Sequence, residues 1–167
     1  MTLDALNGLD KKVLKETLAT CCGSTSWVER MAARFPITHA DILFENAEKI
    51  WFSCEKKDWI EAFEHHPKIG DLSSLRKKFF NTAHLASNEQ AAISKASKNT
   101  MEELAKLNEA YEIKFGFIFI VCATGKSAEE MLRLIQLRMN NSKNKELENA
   151  MEEQNKITLL RLKKILL

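Results

Sequence analysis

Apolar residues recur at intervals of three and four along most of this chain, the spacing that gives a helix one buried face. In residues 39–52, HADILFENAEKIWF, this spacing puts Leu43, Ala47, Ile50 and Trp51 on one side. After a short helical stretch at 2–7, the pattern predicts about eight helices, over 10–22, 24–34, 39–52, 57–65, 71–79, 87–115, 128–140 and 145–166. The sequence therefore predicts an all-α fold, a helical bundle that forms a single domain over residues 1–167.

Local signals mark several helix ends. Three starts carry an N-cap residue or a capping box: Asp10, Ser87 with Gln90, and Ser127 with Glu130. Gly23 and Gly116 predict helix ends, because glycine readily takes the backbone conformation that closes a helix.

Residues 117–123, FIFIVCA, are apolar throughout and predict one short extended segment. The CATGKS that follows resembles part of a phosphate-binding loop. The complete motif needs a glycine five residues before Gly125, where this chain has Ile120. A turn followed by a helix cap is the better interpretation.

Charge and cysteine content narrow the function classes. The 25 basic and 23 acidic side chains give a net charge of +2, and the longest basic run is Arg76-Lys77-Lys78. A nucleic-acid-binding protein normally has a basic excess on one face, so no nucleic-acid partner is expected. The four cysteines have no zinc-ligand spacing, so no metal site is expected either.

The same features predict a cytoplasmic protein with reduced thiols. Cys21 and Cys22 are adjacent and cannot easily bridge each other. The N-terminus lacks a signal-peptide pattern, and the last residues are not a Ser-Lys-Leu peroxisomal address. No run of eighteen apolar residues is present, so no membrane association is expected.

The most distinctive stretch is HHPKIGD, which contains His65, His66 and Pro67. Proline disfavours helical backbone at the residue before it, so the preceding helix should end at or before His65. A side chain presented there, with Gly70 nearby, is suited to a pocket. Imidazole titrates near pH ~6.5 and can exchange protons at neutral pH. From the residues alone, catalysis and an ordinary helix end both remain open.

Glu89 and Arg161 have the same ambiguity. Glu89 lies in the first turn of a predicted helix, where the helix dipole favours a carboxylate whether or not it is catalytic. Arg161 is four residues from both Ile157 and Ile165 and so shares their apolar face. Such an arginine either extends its guanidinium to solvent or binds a carboxylate.

The order of these motifs resembles that of 2-oxo-4-hydroxy-4-carboxy-5-ureidoimidazoline (OHCU) decarboxylases. HPKIGD is followed by EQA, YEIKFGFIFIVCATGKS and ELENAMEEQNKITLLRLKKIL, and the similarity begins near LNGLD and SWVERM. Nearly the whole chain is covered. One departure is Leu85-Ala86, where many members have Trp-Ser; it removes a hydroxyl that is a candidate substrate contact or helix cap.

The resemblance implies a role for each matching residue. It makes His66 the catalytic imidazole and Glu89 the carboxylate beside it. Substrate binding would fall to residues from four parts of the chain: Pro67, Gln90, the segment Phe119, Ile120, Val121, Cys122 and Ala123, and Arg161. The segment would offer backbone amides and carbonyls to the ureido and ring groups, and Arg161 would hold a substrate carbonyl or carboxylate.

The implied activity is decarboxylation of OHCU to (S)-allantoin in urate breakdown, without metal or organic cofactor. The partner would be a small-molecule substrate, and related enzymes imply a homodimer. The alternative is a helical module that has lost this activity and binds a protein or nucleic acid. The presence together of His66, Glu89 and Arg161 favours the enzyme.

Overall fold

The computed structural model describes residues 1–66 and 89–167, with only the helical backbone described for 89–97. Eight helices are present in these residues: α1 Leu3–Asn7, α2 Lys11–Ala19, α3 Thr25–Ala32, α4 Ala40–Phe52, α5 Lys56–Glu64, α6 Glu89–Phe115, α7 Ala128–Arg138 and α8 Lys143–Ile165. These residues form no strand, so the predicted all-α class is confirmed. None of the described helices is long and apolar enough to span a bilayer.

Most predicted helix ends agree with the structure. Asp10 caps α2 by accepting a hydrogen bond from the Lys12 amide, and Ser127 forms the predicted capping box of α7 with Glu130. The predicted helix over 71–79 and the Ser87 cap lie outside the described residues.

The predicted end of α2 at Gly23 was wrong, because the helix ends at Ala19. The Thr20 hydroxyl donates to the Thr17 carbonyl at 2.7 Å, and this bond accompanies the end of the helix. Gly23 serves a different purpose. A Cβ atom at this position would lie 2.4 Å from Cγ of His65, so only glycine allows the two residues to approach.

The chain divides into two compact units. The first contains Met1–His66, Ile120–Cys122 and Glu148–Leu167. Within it, α3 packs against α2, α4 and α5. The indole N–H groups of its three tryptophans donate to backbone carbonyls: Trp27 to Ala47, Trp51 to Met151 and Trp59 to Trp51. Buried indole N–H groups need such partners, and these bonds join α3, α4, α5 and α8.

The second unit contains Pro67–Phe119 and Ala123–Leu147, and in it α6 packs against α7. A buried polar cluster lies beside this contact. Glu146 is fully buried and accepts hydrogen bonds from the Tyr111 hydroxyl, the Arg138 guanidinium and the Asn141 amide. The carboxylate thus has both a charged partner and neutral donors, as a buried charge requires. The prediction of one domain over residues 1–167 stays a prediction.

Two glycines bound the apolar run after α6. Gly116 has a φ of 82° and closes α6 through a bond from its amide to the Glu112 carbonyl; Gly125 has a φ of 76° in the turn before α7. Both values lie in the left-handed region that favours glycine. Residues 117–123 between them are neither helix nor strand.

Candidate functional site

The two histidines at the end of α5 have different surroundings. His65 is the C-cap residue, is exposed, and its ring Nδ1 lies 2.9 Å from the Glu61 carbonyl oxygen, within its own helix. His66 follows the cap and is half-buried, and its amide donates to the Phe63 carbonyl at 3.1 Å. The helix therefore ends where Pro67 predicted, and the two rings have separate hydrogen-bond partners.

The ring of His66 contacts a buried amide from the far end of the chain. Its Nε2 lies 2.5 Å from Oε1 of Gln154, which is on α8 and has no exposed surface. Gln154 Nε2 donates to Thr158 Oγ1 at 3.1 Å, and that hydroxyl donates to the Gln154 carbonyl at 3.0 Å. A half-buried imidazole held at one nitrogen in this way is suited to acid–base chemistry.

Glu153, next to Gln154, contacts the segment predicted to line the pocket. Its Oε2 accepts the Cys122 amide at 2.7 Å, and its Oε1 accepts the Lys156 ammonium at 2.6 Å. The bond to Glu153 is the main cause that raises the pKa of Lys156. The expectation that the segment's amides remain available for substrate is therefore wrong for Cys122.

Arg161 extends from α8 toward the end of α2. Its Nη1 donates to the carbonyls of Thr20 at 3.4 Å and Cys21 at 3.2 Å. Its Nε and Nη2 have no hydrogen bond within the described part of the chain, and the side chain is half-buried. The guanidinium is thus fixed at one nitrogen, and two nitrogens retain donors for an anion or a carbonyl.

These contacts come from one face of α8. Gln154, Thr158 and Arg161 are spaced by four and three residues, so they lie on the same side of the helix. Gln154 and Arg161 are about 10 Å apart along the axis, at the usual helical rise. This face presents a polar contact to His66 and a cation two turns further on.

The other predicted site residues are divided between the units. Ile120, Val121 and Cys122 are buried in the first unit. Phe119 is buried in the second, with the Arg138 guanidinium carbon 4.6 Å from its ring centroid and the Tyr111 ring in an edge-to-face contact. Ala123 belongs to the second unit and is half-buried.

Three predicted site residues lack a described side chain. Glu89 and Gln90 are the first two residues of α6, and only their backbone is described. Pro67 lies outside the described residues. Their roles stay predictions. Among the side chains that are described, no three His, Cys, Asp or Glu residues are grouped as metal ligands.

The sequence reasoning missed Gln154 and Glu153. Both lie in MEEQNK, a polar stretch that reads as a solvent-facing helix surface. The one available signal was the helical spacing from Arg161, which puts Gln154 on the same face as a residue already considered.

Comparisons with known proteins agree with the resemblance. The sequence model of the OHCU decarboxylase family matches residues 7–163. The crystal structure of an OHCU decarboxylase in the presence of (S)-allantoin has 37% sequence identity and a TM-score of 0.74, covering 91% of this chain and 97% of that one. That of an (S)-allantoin synthase has 18% identity and a TM-score of 0.71, covering 98% and 53%, and supports the fold alone.

Curated relatives include proteins of two lengths. The uric acid degradation bifunctional protein TTL of Arabidopsis thaliana is 38% identical over 146 residues, which are 87% of this chain and 45% of that protein. The bifunctional protein PucL of Bacillus subtilis is 27% identical, over 99% of this chain and 33% of its own length. The chain thus spans less than half of these relatives. The OHCU decarboxylase of Haloferax volcanii is 23% identical, over 97% and 94% of the two chains.

Proposed function

Because the chain belongs to the OHCU decarboxylase family, we propose that it converts OHCU to (S)-allantoin and carbon dioxide in urate degradation. The observation that carries the proposal is the match over residues 7–163, which includes the HPKIGD motif and the Arg161 helix. The half-buried imidazole of His66 supports it, since this reaction needs a group that exchanges protons near neutral pH.

The reaction requires one bond cleavage and three proton movements. The bond between the ring carbon and its carboxylate breaks, carbon dioxide leaves, and the electron pair moves into the neighbouring imine, whose nitrogen takes up a proton. His66 accepts the proton of the hydroxyl on the same carbon, which becomes a carbonyl. A proton added to one face of the adjacent carbon then creates the chiral centre. Positioned proton transfer of this kind contributes roughly 10²–10⁴-fold.

The remaining roles follow the family resemblance. Glu89 orients the His66 ring and favours its protonated form, since a nearby carboxylate stabilises an imidazolium. Gln90 hydrogen-bonds the substrate, and Pro67 and the Phe119–Ala123 segment line the pocket. Arg161 holds a substrate carbonyl or carboxylate with the donors on Nε and Nη2, a use for which a guanidinium is well shaped.

The test is to generate OHCU in situ from urate and follow allantoin by circular dichroism. With this protein present, dextrorotatory (S)-allantoin should form faster than in its absence, and treatment with a chelator should leave the rate unchanged. Racemic product at high protein concentration would contradict the proposal and favour the binding-module alternative. A rate that falls on chelation would contradict the cofactor-free mechanism alone.

The protein is proposed to act in the cytoplasm as a homodimer. None of the four cysteines forms a disulfide and all four are buried, as suits a reducing compartment. The homodimer follows the family resemblance, and Ile113 and Leu137, which are 80% and 69% exposed, are apolar side chains that a second subunit would cover. Light scattering checks the assembly, since a monomeric mass at micromolar concentration would contradict it. Fluorescent tagging checks the compartment.

A further inference from the structure

We propose that Gln154 is a positioning residue that fixes the His66 ring and selects its Nε2–H tautomer. The inference begins from the contact of His66 Nε2 with Gln154 Oε1 at 2.5 Å. Because the Gln154 side chain is completely buried, water cannot replace a missing partner, and this polar group must be satisfied inside the protein. The catalytic consequence rests on the proposed function, whereas the tautomer does not.

The orientation of the Gln154 amide follows from its second partner. Thr158 has one hydroxyl proton, which it donates to the Gln154 backbone carbonyl at 3.0 Å. Its oxygen therefore acts as an acceptor toward the side chain of Gln154, at 3.1 Å from Nε2. The NH₂ group must face Thr158, and the carbonyl oxygen must face His66.

A carbonyl oxygen only accepts hydrogen bonds, so the His66 Nε2 beside it must carry a proton. In the neutral ring the basic lone pair is then on Nδ1. The two nitrogens of an imidazole are distinct. The hydrogen-bond partner of one nitrogen therefore decides whether the other nitrogen offers a proton or a lone pair to a reaction. Gln154 thus assigns proton acceptance to Nδ1 without touching substrate.

The position of Gln154 gives this contact its rigidity. The residue lies within α8, whose next turn supplies Thr158. Its ring partner follows directly after the end of α5, where the chain leaves helical structure. The His66 ring, which lies just outside a helix, is therefore held by a side chain from within a helix, and groups supported by helices keep a more precise geometry than groups on loops.

Ring ¹⁵N–¹H NMR tests the tautomer directly. The chain has four histidines, so the His66 signals are assigned by their loss in His66→Asn. We expect an exchange-protected proton on Nε2 at a pH where the ring is neutral. A ring proton on Nδ1, or an Nε2 proton that exchanges as fast as in the exposed histidines, would overturn the proposal. This readout decides the tautomer even if the protein makes no allantoin.

Two substitutions of Gln154 separate positioning from packing. Gln154→Met keeps the length and removes the acceptor, so the protected proton should be lost and kcat should fall about 10²-fold, the usual scale for a misplaced reacting group. KM should change less than kcat. Gln154→Glu keeps an oxygen acceptor, so it should retain the Nε2 proton. Its kcat should be at least about tenfold higher than that of Gln154→Met.

The matched control is Asn155→Leu, which removes the adjacent buried amide. Asn155 donates to Glu48 at 3.0 Å, a contact in the same unit that does not involve His66. This variant should unfold more easily but keep the ring proton and kcat. Equal losses of kcat in Gln154→Met and Asn155→Leu, or no recovery in Gln154→Glu, would show that Gln154 only packs. An inactive parent protein would instead contradict the proposed function.

Discussion

The adjacent histidines show how one residue step changes the role of an imidazole. His65 closes α5, and its ring packs on Gly23, at a distance that no other residue type would tolerate there. His66 departs from the helix and contacts Gln154. The glycine thus has a structural use that a helix-end signal in the sequence did not reveal.

The first prediction at this scale compares His66→Asn with His65→Asn. His66→Asn should nearly abolish allantoin formation and lower the free energy of unfolding by about 1–3 kcal/mol, because the buried Gln154 oxygen loses its partner. His65→Asn should retain most of the activity, since its ring Nδ1 hydrogen-bonds the Glu61 carbonyl of its own helix. Initial rates and chemical denaturation of both variants provide the measurement. An active His66→Asn with an inactive His65→Asn would reverse the assignment.

At the scale of elements, α8 organises the first unit through polar contacts. Gln154, Asn155 and Thr158 are all buried, and each has a partner in the same unit. Glu153 adds the bond to Cys122. Polar residues such as these are usually exposed to solvent. Here they are buried, so they contribute more to the structure of the first unit than their residue types suggest.

Helix ends were therefore easier to predict than helix partners. The capping box of Ser127 and Glu130 depends on residues three apart, and the sequence contains the whole signal. The bond between His66 and Gln154 joins residues 88 apart, and nothing in the local pattern of either one indicates it. The start of α5 was also less visible, because its cap uses Glu55 with Asp58 rather than serine or threonine.

The prediction at this scale concerns Glu153→Ala. Loss of the bond to the Cys122 amide should release the 120–122 segment, so the rate should fall about tenfold or more, and unfolding should become easier by about 1–3 kcal/mol. Glu152→Ala is the control, since this neighbouring carboxylate is exposed on the same helix. A Glu153→Ala rate equal to that of Glu152→Ala would show that the segment holds its position without this bond.

At the scale of the whole molecule, the thiols report on the integrity of the first unit. Burial is the largest cause that raises the pKa of Cys21 from 9.0 to about 11 and of Cys22 from 9.0 to about 12. Both residues have no exposed surface. Because the thiolate is the reactive form, the folded protein protects them both by exclusion of reagent and by suppressed ionisation.

Alkylation at pH 8 should therefore follow unfolding. At a pH below the pKa, a rise of one pKa unit lowers the thiolate fraction tenfold. Folding therefore lowers this fraction about 100-fold for Cys21 and about 1000-fold for Cys22. Because the pKa of each thiol is higher in the folded than in the unfolded protein, the neutral thiols stabilise the fold fully below pH 9.0. This stabilisation is lost as the pH rises through about 11 for Cys21 and about 12 for Cys22. Mass spectrometry of peptides labelled with iodoacetamide, with and without denaturant, gives both rates. Labelling in the native protein as fast as in denaturant would contradict a closed unit, whereas alkaline unfolding that begins above pH 9 would support it.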